Sequence, residues 1–188
     1  MNNKYVIALS GAALAVSSLL VSVTVRAQDK SAKPRPPMTT QIKRGHELFL
    51  HSPKGTPCAT CHQVDEEGTA VGPNLKDIAS VIGPHGLAGT IQMSMTAYVQ
   101  EVKTSSNGTF PGIQKQKTGD QVQIWDLSKV PPALLTMDAK DIKSMKQNEK
   151  WKHPPTTADY SDQELADIVS FLKWAAAGST AEVKPSDL

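Results

Sequence analysis

Cysteine is scarce in this 188-residue chain, which contains only Cys58 and Cys61. A disulfide between residues so close in sequence would constrain almost nothing in the unfolded chain, so a disulfide-stabilised fold does not account for the pair. A zinc site is disfavoured because it needs two further ligands at matched spacing. A thioredoxin-type dithiol is disfavoured because no βαβ pattern surrounds the two cysteines.

The chain also has no large excess of positive or negative charge. The whole chain has 20 basic and 18 acidic residues. Two of the basic residues, Lys4 and Arg26, fall in an N-terminal leader that contains no acidic residue, so the rest of the chain has 18 of each sign. Without a basic patch we do not expect the protein to bind nucleic acid.

The leader, residues 1–27, has the pattern of a secretory signal peptide. An apolar run of small residues from Tyr5 to Val25 ends at Val25-Arg26-Ala27, which fits a small-residue cleavage site. Cleavage would leave 161 residues, enough for one domain with a modest core. The alternative is an uncleaved membrane anchor, since the run is long enough to span a bilayer. In either case we expect the remainder to be periplasmic or otherwise exported.

The two cysteines belong to the sequence Cys58-Ala59-Thr60-Cys61-His62, which is the CxxCH attachment motif of c-type haem. Each thiol adds to one vinyl group of the porphyrin, and His62 then lies beneath the iron as the proximal ligand. A neutral imidazole binds iron well, and a hydrogen bond from its other N–H sets the tautomer. Export agrees with this interpretation, because c-type haem is attached on the exported side of bacterial membranes. We therefore predict one covalently attached haem c with its iron.

The segments on either side of the motif give the domain boundaries. Residues 28–38 are rich in proline and predict an extended linker. Apolar spacing predicts a first helix over residues 40–50, with Thr40 as its N-cap and Gly45 at a close crossing with another helix. We expect residues 179–188 to form a polar tail.

The last helix is the best specified element of the sequence. Ser161 and Glu164 form a capping box, and Gly178 ends the helix. Its apolar face should cross the first helix at Gly45 and Phe49.

A second motif, Gly72-Pro73-Asn74-Leu75, follows CxxCH in the sequence. A helix with glycine and phenylalanine, then CxxCH, then this motif, then a final amphipathic helix resembles a class I bacterial cytochrome c over about residues 40–92 and 150–177. The resemblance implies a mainly α, cytochrome c-like fold around one haem, formed by residues 39–178. It also implies that the carbonyl of Pro73 accepts a hydrogen bond from His62.

Residues 97–142 do not fit a minimal cytochrome. Val122-Gln123-Ile124-Trp125 alternates as a half-buried strand does, and Leu134-Leu135-Thr136-Met137 predicts another strand. We predict a small antiparallel β insertion on the distal side, between the half that contains the haem motif and the C-terminal helix. It loosely resembles the haem-binding domains of some large bacterial redox proteins.

The sixth iron ligand has three candidate assignments. Class I cytochromes usually carry a methionine followed by proline shortly before the last helix, and here His153 stands before the proline. We favour His153, and Met145, in a strongly charged segment, is the alternative. In the third assignment the position is open or is filled by another residue, for which the candidates are His85, Met93, Met95 and Met137. For Met93 and Met95, core packing is the simpler role.

These features predict a periplasmic monohaem c-type cytochrome that shuttles single electrons, and not an enzyme. Its partners would be redox proteins, such as a dehydrogenase, a respiratory complex or another cytochrome, and it would contact a membrane only if the leader is retained. The alternative is a haem peroxidase, a small-molecule reductase or a haem-based sensor, each of which needs an open distal site. A single CxxCH motif argues against a two-haem peroxidase, and the lack of an output domain argues against a sensor.

Overall fold

The computed structural model describes residues 34–93, 96, 98–154 and 160–188. The predicted signal peptide and Met95 lie outside these residues. In the part of the chain that is described, no helix is both long enough and apolar enough to cross a membrane.

The described residues contain four α-helices: α1 (Thr40–Leu50), α2 (Leu75–Val81), α3 (Pro84–Gln92) and α4 (Asp162–Ala177). They share one hydrophobic core, in which α4 is the most deeply buried element. The capping box of α4 forms as predicted, with Ser161 and Glu164 bonded to each other's backbone N–H groups, and Gly178 ends the helix in a left-handed conformation. The N-cap of α1 is Thr39 and not Thr40, because the hydroxyl of Thr39 accepts the N–H of Ile42.

Helices α1 and α4 cross at Gly45, as predicted. A Cβ atom on Gly45 would lie only 1.9 Å from the backbone oxygen of Asp167 in α4. Phe49, one turn further along α1, contacts Phe171 with a ring-centroid distance of 5.5 Å. The missing side chain of Gly45 is therefore what lets the two backbones approach, and this contact joins the first helix to the last.

The described residues also form seven β-strands, so the prediction of a mainly α fold is wrong. Of the residues that the structure describes, 35% are helical and 25% lie in strands, so the fold is a mixture of helices and antiparallel sheet. A short hairpin, β1 (Gln63–Val64) and β2 (Glu67–Gly68), follows the haem motif. The larger sheet has the spatial order β6-β5-β4-β3-β7, with every neighbouring pair antiparallel. Its strands are β3 (Gln100–Thr104), β4 (Thr109–Thr118), β5 (Gln121–Asp126), β6 (Ala133–Asp138) and β7 (Ile142–Gln147).

The larger sheet has a hydrophobic cluster of its own and lies in the sequence between α3 and α4, where the β insertion is predicted. Val102, Phe110, Val122 and Ile124 are buried together, and Met137 closes the cluster. Gly112 in β4 makes this packing possible, because a Cβ atom there would lie 2.9 Å from both Ile124 and Val102. The alternating pattern of β5 and β6 predicts these two strands correctly.

Both chain segments that flank the helical core are held against it. Trp174 donates its indole N–H to the carbonyl of Pro36 at 2.8 Å, and the guanidinium of Arg35 lies 4.5 Å from the Trp174 ring centroid. At the other end of the chain, the side chain of Gln41 in α1 hydrogen-bonds to both the N–H and the carbonyl of Val183, which is buried. The described part of the proline-rich linker and the C-terminal segment are therefore both packed onto helices.

Candidate cofactor site

A cavity of about 390 Å³ lies between the helical core and the sheet. Leu75, Ile78 and Leu87 line it from the helical side, and Ile113 and Leu127 line it from the sheet side. Its volume falls in the range of about 300–1,000 Å³ that is typical of cofactor and ligand sites. The sheet therefore supplies one wall of a mainly apolar site whose other wall is helical.

The haem motif folds as a tight turn at the edge of this cavity. Residues 58–60 form one turn of 3₁₀ helix, and the N–H of His62 donates to the carbonyl of Cys58 at 2.8 Å. Cys58, Cys61 and His62 all line the cavity, so the turn directs both thiols and the imidazole into the same space. Burial raises the pKa of the Cys58 thiol to about 11 and also raises the pKa of Cys61, so both are protonated at neutral pH.

His62 is held by the residues that follow the motif. Its Nδ1–H donates to the carbonyl of Pro73 at 2.7 Å, so the two residues that the resemblance pairs are in contact. Gly72 lies against the imidazole, where a Cβ atom would come within 2.7 Å of Cε1. The N–H of Gly72 donates to the carbonyl of Cys61 at 2.7 Å, which ties the loop to the haem motif. His62 is therefore fixed in one orientation by backbone groups.

His153 lies in the same cavity and faces His62. The two ring centroids are 5.9 Å apart, with a 38° angle between the ring planes. Two imidazoles that bind one metal ion from opposite sides, each nitrogen about 2 Å from it, would have centroids about 6 Å apart. At the observed separation, His62 and His153 could therefore hold one metal ion between them.

Both histidines have the protonation state that a metal ligand needs. Burial lowers the pKa of His62 and of His153, so both rings are neutral at pH 7. Nδ1 of His153 lies 3.1 Å from the carbonyl of Pro154, just as Nδ1 of His62 faces Pro73. With Nδ1 as the donor in each ring, Nε2 carries the lone pair that binds a metal.

The other described candidates for the sixth ligand lie in several different parts of the fold. Met145 lies in β7 opposite Val102 and packs against the sheet cluster, and Met137 is buried in that cluster. His85 is exposed, and its Nδ1 faces the carbonyl of Leu188 at 2.6 Å. Met93 lines the cavity, but 60% of its surface is exposed. Of the described candidates, only His153 and Met93 therefore reach the cavity.

Sequence reasoning missed most of the cavity wall. Trp151 packs edge-on against His153 with a ring-centroid distance of 6.3 Å, and it lies only two residues away in sequence. That spacing in an extended segment could have suggested that the two side chains lie on the same side. Ile113 and Thr96 had no such signal, because their contribution depends on how the sheet packs against the helices.

Two histidines and two cysteines in the cavity wall could bind a metal or a cofactor. No group of three or more His, Cys, Asp or Glu side chains within the described residues is arranged to hold a metal ion. A cofactor that brought further metal ligands of its own could be held between His62 and His153.

No protein-family model matches this chain, and no curated protein matches it either. The case for its function therefore rests on the residues of the site.

Proposed function

We propose that this protein is an exported monohaem c-type cytochrome that carries single electrons between redox proteins. Cys58 and Cys61 would form the two thioether bonds, and His62 and His153 would bind the iron from its two sides. The observation that supports this most directly is the approach of the two imidazoles, 5.9 Å apart, in an apolar cavity that both thiols of the CxxCH motif also line.

The bound haem would supply a one-electron redox couple, and the protein would determine its potential and accessibility. The carbonyl of Pro73 fixes the tautomer of His62 and makes the imidazole a better donor. The apolar walls restrict water, which also tunes the potential. Histidine in place of methionine as the second axial ligand lowers the potential, so we expect a low-potential carrier.

Occupation of both axial positions by histidine favours an electron carrier over the alternatives. A peroxidase, a reductase or a gas sensor needs an iron position that a substrate can reach, and the two neutral imidazoles would fill both. The partners in this proposal are other redox proteins, which meet carriers through small interfaces. In this proposal the protein is located in the periplasm or in another compartment outside the cytoplasm, as the leader predicts.

The test begins with the protein matured in a host that attaches c-type haem. A pyridine haemochrome spectrum reports whether two thioether bonds form, and near-infrared magnetic circular dichroism of the oxidised protein reports the axial pair. We expect a bis-histidine signal that is lost in His153→Ala. His85→Ala is the matched control, because His85 is an exposed histidine outside the cavity, and it should keep the signal.

Other outcomes would redirect the proposal. A histidine–methionine signal would overturn the assignment of His153. Among the described methionines it would point to Met93, which lines the cavity. A high-spin iron that binds carbon monoxide in the wild-type protein would overturn the carrier proposal in favour of an enzyme or sensor.

A further inference from the structure

His153 is held less firmly by the backbone than His62 is. The imidazole of His62 bonds to the carbonyl of Pro73, eleven residues away, and lies against Gly72. Nδ1 of His153 faces the carbonyl of Pro154, which is the next residue. A bond to the adjacent residue moves with the backbone that carries the ring, so it sets the tautomer without fixing the ring relative to the rest of the fold. The orientation of His153 therefore depends on other contacts.

Trp151 supplies such a contact. Its ring plane lies at 90° to that of His153, with the two ring centroids 6.3 Å apart. Aromatic pairs favour this edge-to-face arrangement, because it brings the positive edge of one ring to the negative face of the other. Both side chains also line the cavity. The indole of Trp151 therefore restricts the rotation of the imidazole within the cavity.

Trp151 is itself attached to the sheet through Asn148, the residue that follows β7. The backbone N–H of Asn148 donates to the carbonyl of Val99 at 2.9 Å, and Val99 is fully buried. The side-chain oxygen of Asn148 accepts the backbone N–H groups of Lys150 and Trp151, at 3.1 and 3.0 Å. An asparagine that bonds to the backbone in this way fixes a turn. The turn therefore determines where Trp151 lies relative to the sheet.

We propose that Trp151 is a positioning residue that sets the rotation of the His153 imidazole about its bond to iron, a proposal that rests on the proposed function. Gly72 and Pro73 hold the opposite imidazole, and the two ring planes lie 38° apart, closer to parallel than to perpendicular. The relative rotation of two axial imidazoles determines how the iron d orbitals split, which is one way in which a protein tunes a haem. Through Asn148 and Trp151 the larger sheet thus controls the electronic structure of the iron.

Electron paramagnetic resonance of the oxidised, haem-loaded protein tests this role. In low-spin ferric haem, nearly parallel imidazole planes give a rhombic spectrum, whereas perpendicular planes give a spectrum dominated by a large g value. We expect a rhombic spectrum for the wild-type protein. Trp151→Leu should raise the largest g value or spread it over a range, because the ring of His153 is no longer held at one angle. The bis-histidine band in near-infrared magnetic circular dichroism should persist, because both ligands remain.

Matched variants separate this role from a general effect on the fold. Trp151→Phe keeps an aromatic edge beside His153 and should keep the rhombic spectrum. Trp174→Leu makes the same change at a half-buried tryptophan of α4 outside the cavity, and it should keep the spectrum as well. Asn148→Ala loosens the turn and should resemble Trp151→Leu, whereas Asn148→Asp retains the accepting oxygen and should resemble the wild type.

Carbon monoxide binding to the reduced protein gives a second measurement. The gas binds only the fraction of molecules in which His153 has left the iron, so its apparent affinity follows that fraction. Loss of one edge-to-face contact should raise the apparent affinity about two- to tenfold in Trp151→Leu. Trp174→Leu should leave it at the low wild-type value. An unchanged affinity in Trp151→Leu would show that the indole does not hold His153.

The outcomes distinguish this proposal from the one on which it rests. Wild-type g values in Trp151→Leu would overturn the positioning role, and so would an equal shift in Trp174→Leu, yet either result would leave the proposed function in place. A wild-type protein without a bis-histidine signal would instead overturn the assignment of His153, and the role of Trp151 with it.

Discussion

Gly72 lies so close to His62 that a Cβ atom on it would be 2.7 Å from Cε1 and 3.1 Å from Nδ1 of the imidazole. An added methyl group must therefore displace the ring, since the loop backbone is tied to Cys61. We expect Gly72→Ala to destabilise the fold by about 1–3 kcal/mol, the usual cost of overpacking. In the proposed haem-bound protein it would also weaken the coordination of iron by His62. Urea unfolding measures the first effect, and the high-spin fraction in the absorption spectrum measures the second.

Gly83→Ala is the control for this substitution. A Cβ atom on Gly83 would meet nothing within 4 Å, and its φ of −73° is open to alanine. Gly83→Ala should leave the high-spin fraction in the absorption spectrum unchanged. If Gly72→Ala gave the same spectrum as Gly83→Ala, the loop would be able to yield, and Gly72 would not control the orientation of His62.

The crossing of α1 and α4 gives a second prediction. Gly45→Ala would place its Cβ atom 1.9 Å from the backbone oxygen of Asp167, so one helix must move. We expect a loss of about 3 kcal/mol or more in the free energy of unfolding, because backbone cannot relax as a flexible side chain does. Gly89→Ala, within α3 and with open space around it, should instead stabilise the protein by about 0.5–1 kcal/mol. Chemical denaturation of both variants checks the sign of each change.

The helical half of this fold is predictable because its signals are local. The capping box at Ser161, the terminating Gly178 and the small residue at Gly45 each act within one turn or at one crossing, and all three are found as the sequence predicts. The sheet was underestimated because its stability is not local. Val102 and Met137 are far apart in sequence, and their shared cluster is visible only once the strand order is known.

In the candidate site, too, a local motif predicts some residues, and the positions of others depend on tertiary packing. Cys58, Cys61 and His62 are adjacent in sequence, so their chemistry can be read directly from a motif. Met145 was difficult to assign because β7 alternates weakly and its lysines suggest an exposed loop, whereas pairing with β3 directs the methionine toward the sheet cluster. Ile113 could not have been found from sequence, because its place in the cavity wall depends on how the sheet packs against the helices.

The ion pair between Arg44 and Asp167 gives a third prediction. The carboxylate of Asp167 is buried and accepts two hydrogen bonds from the guanidinium, at 2.7 and 2.9 Å, and one from Gln163. Arg44→Met removes two of these three donors and leaves the charge buried with only the bond from Gln163. Because the Arg44 side chain is half exposed, we expect a cost of about 1–3 kcal/mol rather than the larger value of a fully buried pair.

Lys43→Met is the matched control for Arg44→Met, because it removes a positive charge from the adjacent, exposed position of α1. Its free energy of unfolding should stay within about 0.5 kcal/mol of the wild type. In a double-mutant cycle, Arg44→Met should cost much less when Asp167 is already asparagine. An additive cycle would show that the two side chains do not interact energetically.

The N-terminus of α4 makes stability depend on pH in the acid range. The ammonium of Lys54, 2.7 Å from Glu164, and the capping bonds from Ser161 lower the pKa of that carboxyl from 4.5 to about 2. Because the folded pKa lies below the unfolded one, the stabilisation is complete above about pH 4.5 and is lost as the pH falls towards 2. Glu164→Gln keeps a side chain that is accepted in a capping box but does not titrate.

We therefore expect the urea midpoint of the wild-type protein to fall more steeply than that of Glu164→Gln as the pH is lowered from 4.5 to 2. Lys54→Met should give an intermediate slope, since it removes the largest cause of the shift and leaves the bonds from Ser161 in place. Both partners are about one-third exposed, so added salt should reduce the difference between the wild type and Lys54→Met. Parallel pH profiles for the wild type and Glu164→Gln would show that other carboxyl groups determine the acid stability, and that the capping box acts through hydrogen bonding alone.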